Sequence, residues 1–153
     1  MQTLFSVLLI LQFLVNAGHD WVDIPGWVNG TQVQSIVGRR KLILGTLINA
    51  IFPGLAVAFA LVFWRRPPTS YASDYWAIYC AITVASAIAM WYIPYFFGAS
   101  EKTRQDYTRM YEGTLQVLPP RGDNPRPNLF HIFLHALFAT TLVLALMLRF
   151  RHT

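Results

Sequence analysis

The chain has 153 residues, enough for one domain, and is 55% hydrophobic, 15% aromatic and only 12% charged, where a soluble domain carries about 25% charged residues. The missing charges leave long unbroken apolar runs, which excludes an ordinary soluble domain. The net charge of +5 comes from basic residues that mostly sit beside those runs, where they meet lipid headgroups, so membrane lipids and not nucleic acid are the expected partners. The expected fold class is all-α: an integral membrane four-helix transmembrane bundle, one domain over residues 1–153, with an amphipathic segment in the third loop.

A spanning helix needs about 20 mostly apolar residues. The first apolar run, Leu4 to Ala17, is too short alone, so the helix is expected to continue through Gly18-His19-Asp20-Trp21 to Ile24. Pro25-Gly26 then stops it, giving a span near 3–24. Val15-Asn16-Ala17 resembles a signal-peptide cleavage site, but no Lys or Arg precedes the run, which favours an uncleaved span. Trp21 and Trp27 suit the membrane interface.

The second span, near 41–64, lies between Arg39-Arg40-Lys41 and Trp64-Arg65-Arg66-Pro67-Pro68. Pro53 sits inside it and removes a backbone donor, which predicts a kink. The third span, near 75–97, has Pro94 at its end. The fourth, near 128–150, opens on Asn128 as N-cap and closes on Arg149 and Arg151. Cys80, the single cysteine, falls inside an apolar run and reads as a small hydrophobe.

The largest loop, 98–127, divides in two. In its first half Tyr107, Met110, Tyr111 and Leu115 fall at helical spacing, which predicts an amphipathic helix that lies on the membrane or caps the bundle. Its second half is proline-rich and stiff. The Arg121-Gly122-Asp123 triplet there, and the Asn29-Gly30-Thr31 sequon in the first loop, are read as chance matches by letters. With four spans the termini and the second loop share one side. Arg65, Arg66, Arg149 and Arg151 pack against span ends on that side. The longer loops hold eight basic residues more loosely, so the termini are expected in the cytoplasm of a bacterial inner membrane or its equivalent.

Polar residues inside spans are costly and mark a bundle interior or a cavity. In the first span Gln12, Asn16, His19 and Asp23 follow one helical stripe, with Asp20 beside it. In the fourth, Asn128, His131 and His135 do the same. Thr46, Asn49 and Pro53 align in the second span, and Tyr79, Thr83, Ser86 and Met90 in the third. The stripes of the second and third spans also suit close helix packing. Because successive spans run in opposite directions, His19, Asp20, Asp23, Asn49, His131 and His135 belong to one half of the membrane.

Two i,i+4 pairs, His19/Asp23 and His131/His135, aim side chains at one point in the manner of helix-bundle metal sites. The expected pocket is therefore bound by His19, Asp20, Asp23, His131 and His135 and lined by Gln12, Asn16, Asn49 and Asn128. A ligand, a transition metal and a bis-histidine haem all remain open as its occupant. Glu112 is placed to fold over the pocket or to stay an exposed charge, Asp20 and Asp23 to pair with Arg39, Arg40 or Arg126, and Arg121 and Arg126 to meet an anionic group or lipid phosphate above. No phosphate loop, Cys-x-x-Cys or serine elbow occurs in the chain. Three functions fit: a small membrane protein whose His/Asp pocket binds a ligand, metal or haem, as in a metal- or haem-dependent enzyme acting on a lipid-soluble substrate such as a quinone; a structural or accessory subunit of a larger membrane complex or homo-oligomer; and a proton- or cation-linked transporter subunit.

Overall fold

The computed structural model describes residues 1–151 and is helical almost throughout. Helix α1 (Gln2–Gly18) tightens into a 3-10 turn, His19–Trp21. A two-strand ladder follows, β1 (Asp23–Ile24) with β2 (Val28–Asn29), then α2 (Gly30–Val37) and α3 (Arg39–Val62). Helix α4 (Ser70–Ala87) runs through a π-helical turn, Ile88–Tyr92, into α5 (Ile93–Phe97). The third loop holds α6 (Glu101–Met110), and α7 (Leu129–Arg151) closes the chain. Four stretches are long and apolar enough to cross a membrane: Gln2–Trp21, Arg39–Val62, Ser70–Phe97 and Leu129–Arg151.

Their boundaries differ from the expected ones in two places. The first span ends at Trp21 because Val22 turns extended. Pro25-Gly26 then forms the tip of the small hairpin in which Asp23 pairs with Asn29 and Ile24 with Val28. Gly26 supplies the positive φ of +75° that this tip requires. The third span begins at Ser70, a turn before the expected start, because the Thr69 hydroxyl accepts from the Ala72 N–H at 3.3 Å and caps the helix. Helix α3 passes through Pro53 without ending.

The end of the bundle at the second loop is densely packed. Phe5, Leu9, Ala56, Ala60, Trp76, Cys80, Ala145 and Leu148 form one buried cluster; its alanines let the backbones approach closely. Trp76 Nε1–H donates to the Ala56 carbonyl at 3.0 Å, joining α4 to α3. The Gln2 amide reaches the Phe63 and Arg66 carbonyls, and Arg149 pairs with Asp74. These contacts bring both ends of the described chain and the second loop to one end of the molecule.

At mid-height Gln12, only 1% exposed, donates to the Tyr79 hydroxyl at 2.9 Å and accepts from Thr141 at 2.8 Å. One side chain thus ties α1, α4 and α7 together. Toward the other end α4 and α7 remain packed through Ala87, Leu134, Leu137 and Phe138. Helix α3 does not close against them: Leu44, Leu47, Ile48, Ile51 and Phe52 are all exposed. Helices α3 and α4 therefore meet at Ala56–Trp76 and at Phe52, whose carbonyl accepts from the Tyr75 hydroxyl at 2.9 Å, and leave a cleft between them beyond it.

The third loop lies across that open end. Ser100 caps α6 by accepting from the Thr103 N–H. Leu115 falls outside the expected amphipathic helix, which stops at Met110. Its backbone instead ties the loop to the hairpin tip and to the start of α7, donating to Gly26 O at 2.7 Å and accepting from Leu129 N at 2.8 Å.

Candidate functional site

The cleft holds a cavity of about 850 Å³. One wall is α3 through Ile48, Asn49, Phe52 and Pro53. The opposite wall is α4 and the π turn through Tyr75, Ile78, Tyr79, Ile82, Thr83, Ser86, Ala87, Met90 and Trp91. Asn16, His19 and Asp20 from α1 and its 3-10 turn form the back, with His131, Leu134, His135 and Phe138 from α7. Tyr107, Met110 and Tyr111 of the third loop form the roof. Ile48, Phe52, Ile78, Ile82 and Met90 are exposed, so the mouth between α3 and α4 is largely apolar and opens on the side of the bundle.

The polar end of the cavity is built by local backbone chemistry. Asn128 caps α7 by accepting the His131 N–H at 3.0 Å. Its amide NH₂ donates to the Trp27 carbonyl at 3.1 Å, which fixes which end is oxygen. That oxygen also meets His131 Nδ1 at 2.7 Å, so Nδ1 carries the proton and Nε2 is left as an acceptor. The ring lies against Trp91, with 3.9 Å between centroids. His19 Nδ1 donates to the carbonyls of Val15 and Asn16 at 3.2 and 3.1 Å, while Nε2 stands 3.2 Å from Asp20 Oδ1. The His19 and His131 rings are 5.7 Å apart, and His135 meets the Tyr92 hydroxyl at 3.3 Å.

The turn carrying His19 and Asp20 is held from two sides. Trp21 Nε1–H donates to the Thr46 hydroxyl of α3 at 3.0 Å. Gly30 lies so close beneath the turn that a Cβ there would stand 2.7 Å from Val22 O and 2.9 Å from Asp20 O. Above it, burial and the nearby Asp20 charge push the Tyr111 hydroxyl well above the usual tyrosine range, so the phenol stays neutral.

Proline chemistry places Trp91 and the roof. Pro94 has no N–H for the Met90 carbonyl one turn earlier, and the chain relaxes into the π turn there. The Tyr107 hydroxyl donates to that carbonyl at 3.1 Å, and Tyr107 and Tyr111 pack on Trp91 at 5.0 and 5.2 Å. In α3 Pro53 likewise has no N–H for Asn49, and both residues line the cavity.

Of the expected pocket residues, His19, Asp20, His131 and His135 come together, with Asn16 and Asn49 in the lining. Asp23 does not join them. It is exposed and binds the backbone and hydroxyl of Thr31 at 2.9 and 2.6 Å, because the helix on which it would share a face with His19 ends before it. It pairs with no arginine, and these two bonds hold its carboxyl below the ordinary range. Gln12 belongs to the central network and not to the cavity lining. Asn128 acts behind the wall, through His131.

Glu112 is exposed and does not line the cavity. Arg121 lies over the Tyr95 and Phe96 rings, and Arg126 donates to the Leu118 carbonyl. No three His, Cys, Asp or Glu side chains among the described residues converge as a metal ion requires. The expected metal centre is thus not supported: Asp23 has left the set, and Nδ1 of both His19 and His131 is turned to protein acceptors.

The stripes Asn49/Pro53 and Tyr79/Thr83/Ser86/Met90, which also suited helix packing, line the cavity, and Tyr79 and Pro53 are buried between helices as well. Trp91 was not anticipated; the signal lay in Pro94, three residues on, which predicts an irregular turn. Comparison of the chain with protein-family models, with curated proteins and with solved structures finds no match.

Proposed function

We propose that this protein binds a lipophilic small molecule taken laterally from one leaflet of the membrane, with the tail between α3 and α4 and the polar head against Asp20, Asn49, His131 and His135. The observation that carries this reading is the cavity itself. It is large enough for an amphiphile, largely apolar at its lateral mouth, and most polar at its inner end beneath the third loop. Ligand pockets commonly pair an apolar lining with a few convergent polar groups. Here the groups are supported by a helix cap, a close glycine contact and an inter-helix hydrogen bond, the kind of support that holds a site in one geometry.

The test is native mass spectrometry of gently solubilised protein beside Ser86→Trp, which places an indole in the cavity from a wall residue. A stoichiometric lipophilic adduct on the wild type that is absent from a folded Ser86→Trp variant supports the reading. An adduct pattern identical in both proteins, or only loosely held annular lipid on either, refutes it.

A further inference from the structure

The charge inventory of the cavity narrows its ligand. Asp20 is the one carboxylate in the lining, and no Lys or Arg lines it. Oδ1 of Asp20 stands 3.2 Å from His19 Nε2, a contact that becomes an ion pair only when the ring carries a second proton, since Nδ1 already donates to backbone carbonyls; Oδ2 has no partner among the described residues. His131 lines the cavity, and its Nε2 is an acceptor by the tautomer that Asn128 imposes. The ionisable groups facing Asp20 from the surrounding elements are His19, His131 and His135, with the phenols Tyr107 and Tyr111 in the roof. None of these is a fixed cation. Ring faces dominate the rest of the polar end, and Trp91 attracts cations more strongly than other aromatics do.

A carboxylate or phosphate head would meet Asp20 with no fixed positive charge to offset the repulsion. A protonated amine would meet a free carboxylate oxygen, an imidazole acceptor and aromatic faces. We propose that the ligand is a cationic amphiphile, an ammonium group on an apolar tail, with Asp20 as its counter-ion. This rests on the lateral-cavity reading and adds the chemical class of the head.

The experiment uses the full chain in phosphatidylcholine nanodiscs at neutral pH, with empty nanodiscs as the partition blank. The probes are dodecylamine, dodecanol and dodecanoate, which share a tail and differ in the head. Expected is saturable dodecylamine binding about tenfold tighter than dodecanol, the size of one charge-assisted hydrogen bond, with dodecanoate weakest. Asp20→Asn brings dodecylamine to the dodecanol level, whereas Asp20→Glu keeps the preference; equal thermal midpoints for the variants show that both fold.

Dodecanoate binding as tight as dodecylamine, or an amine preference untouched by Asp20→Asn, overturns the assignment of the head. If all three probes bind equally and Ser86→Trp abolishes their binding, the cavity reading survives and the amine assignment falls. If no probe binds saturably to the wild type, both fall.

Discussion

Asn128 shows how much one buried side chain decides. It caps α7, orients the His131 ring and anchors Trp27 of the hairpin tip. Asn128→Ala removes all three bonds and leaves the part-buried Trp27 carbonyl and a buried imidazole N–H without these partners, a loss of about 1–3 kcal/mol. Asn128→Asp keeps the cap and loses the donation to Trp27, so thermal unfolding in detergent should place it between wild type and alanine.

Asp23 carries a pH dependence of known sign. Its carboxyl is held below the ordinary value of 3.8 by the two Thr31 bonds, so the anion is the form the fold prefers. Its contribution is complete above that ordinary value and disappears as pH falls through the lower folded value. Hydrogen exchange at the start of α2 should therefore rise only in that acid window, and Asp23→Ala should abolish the transition. A neutral-pH midpoint for it would contradict the assignment.

Elements here are tied by single polar contacts whose removal has separable effects. Tyr107 pins α6 to the carbonyl that Pro94 leaves open. Tyr107→Phe should loosen α6 by about 1 kcal/mol and raise its amide exchange, leaving exchange in α1 and α7 unchanged. The Gln12–Tyr79–Thr141 network behaves differently because it is buried among three helices. Gln12→Leu alone strands the Tyr79 hydroxyl, while Thr141 keeps the Leu137 and Phe138 carbonyls, and should lower the thermal midpoint. Adding Tyr79→Phe and Thr141→Val should recover most of the loss, since removing all partners of a buried hydrogen bond costs far less than removing one. A triple variant no more stable than the single one would show that the network holds the helices by shape and not by satisfying polar groups.

At this scale the limits of sequence reading are visible too. The spans were legible because run length and flanking charge state them directly, and the shared depth of His19, His131 and His135 followed from alternating direction. Asp23 was misplaced because its stripe assumed an α-helix beyond Gly18, where a hairpin takes over. That hairpin depends on Gly30 packing against the backbone of residues 20–22, a contact with no local periodicity to announce it. The cavity was legible only as polar stripes, since helix splay is a property of the packed bundle.

In the whole molecule the two ends are built for different purposes. Alanines and the Phe5–Trp76 pair close the end at the second loop, while the opposite half of α3 stands away from α4 with Leu44, Leu47, Ile48 and Ile51 exposed. A helix gains stability from the neighbours it packs against, so protection should not be uniform along α3. In detergent without ligand, amides of residues 42–52 should exchange faster than those of residues 55–62.

A molecule bound only by the folded state adds stability of RT ln(1 + [L]/Kd), about 2.7 kcal/mol at a hundredfold excess over Kd. Because the occupant would fill the gap between α3 and α4, that gain should appear first at residues 42–52 and level the gradient. Ser86→Trp should reduce the gradient without any ligand and be insensitive to added amphiphile. Uniform exchange along the ligand-free helix would mean that α3 is held along its whole length, and that the cleft is not the compliant part of the bundle.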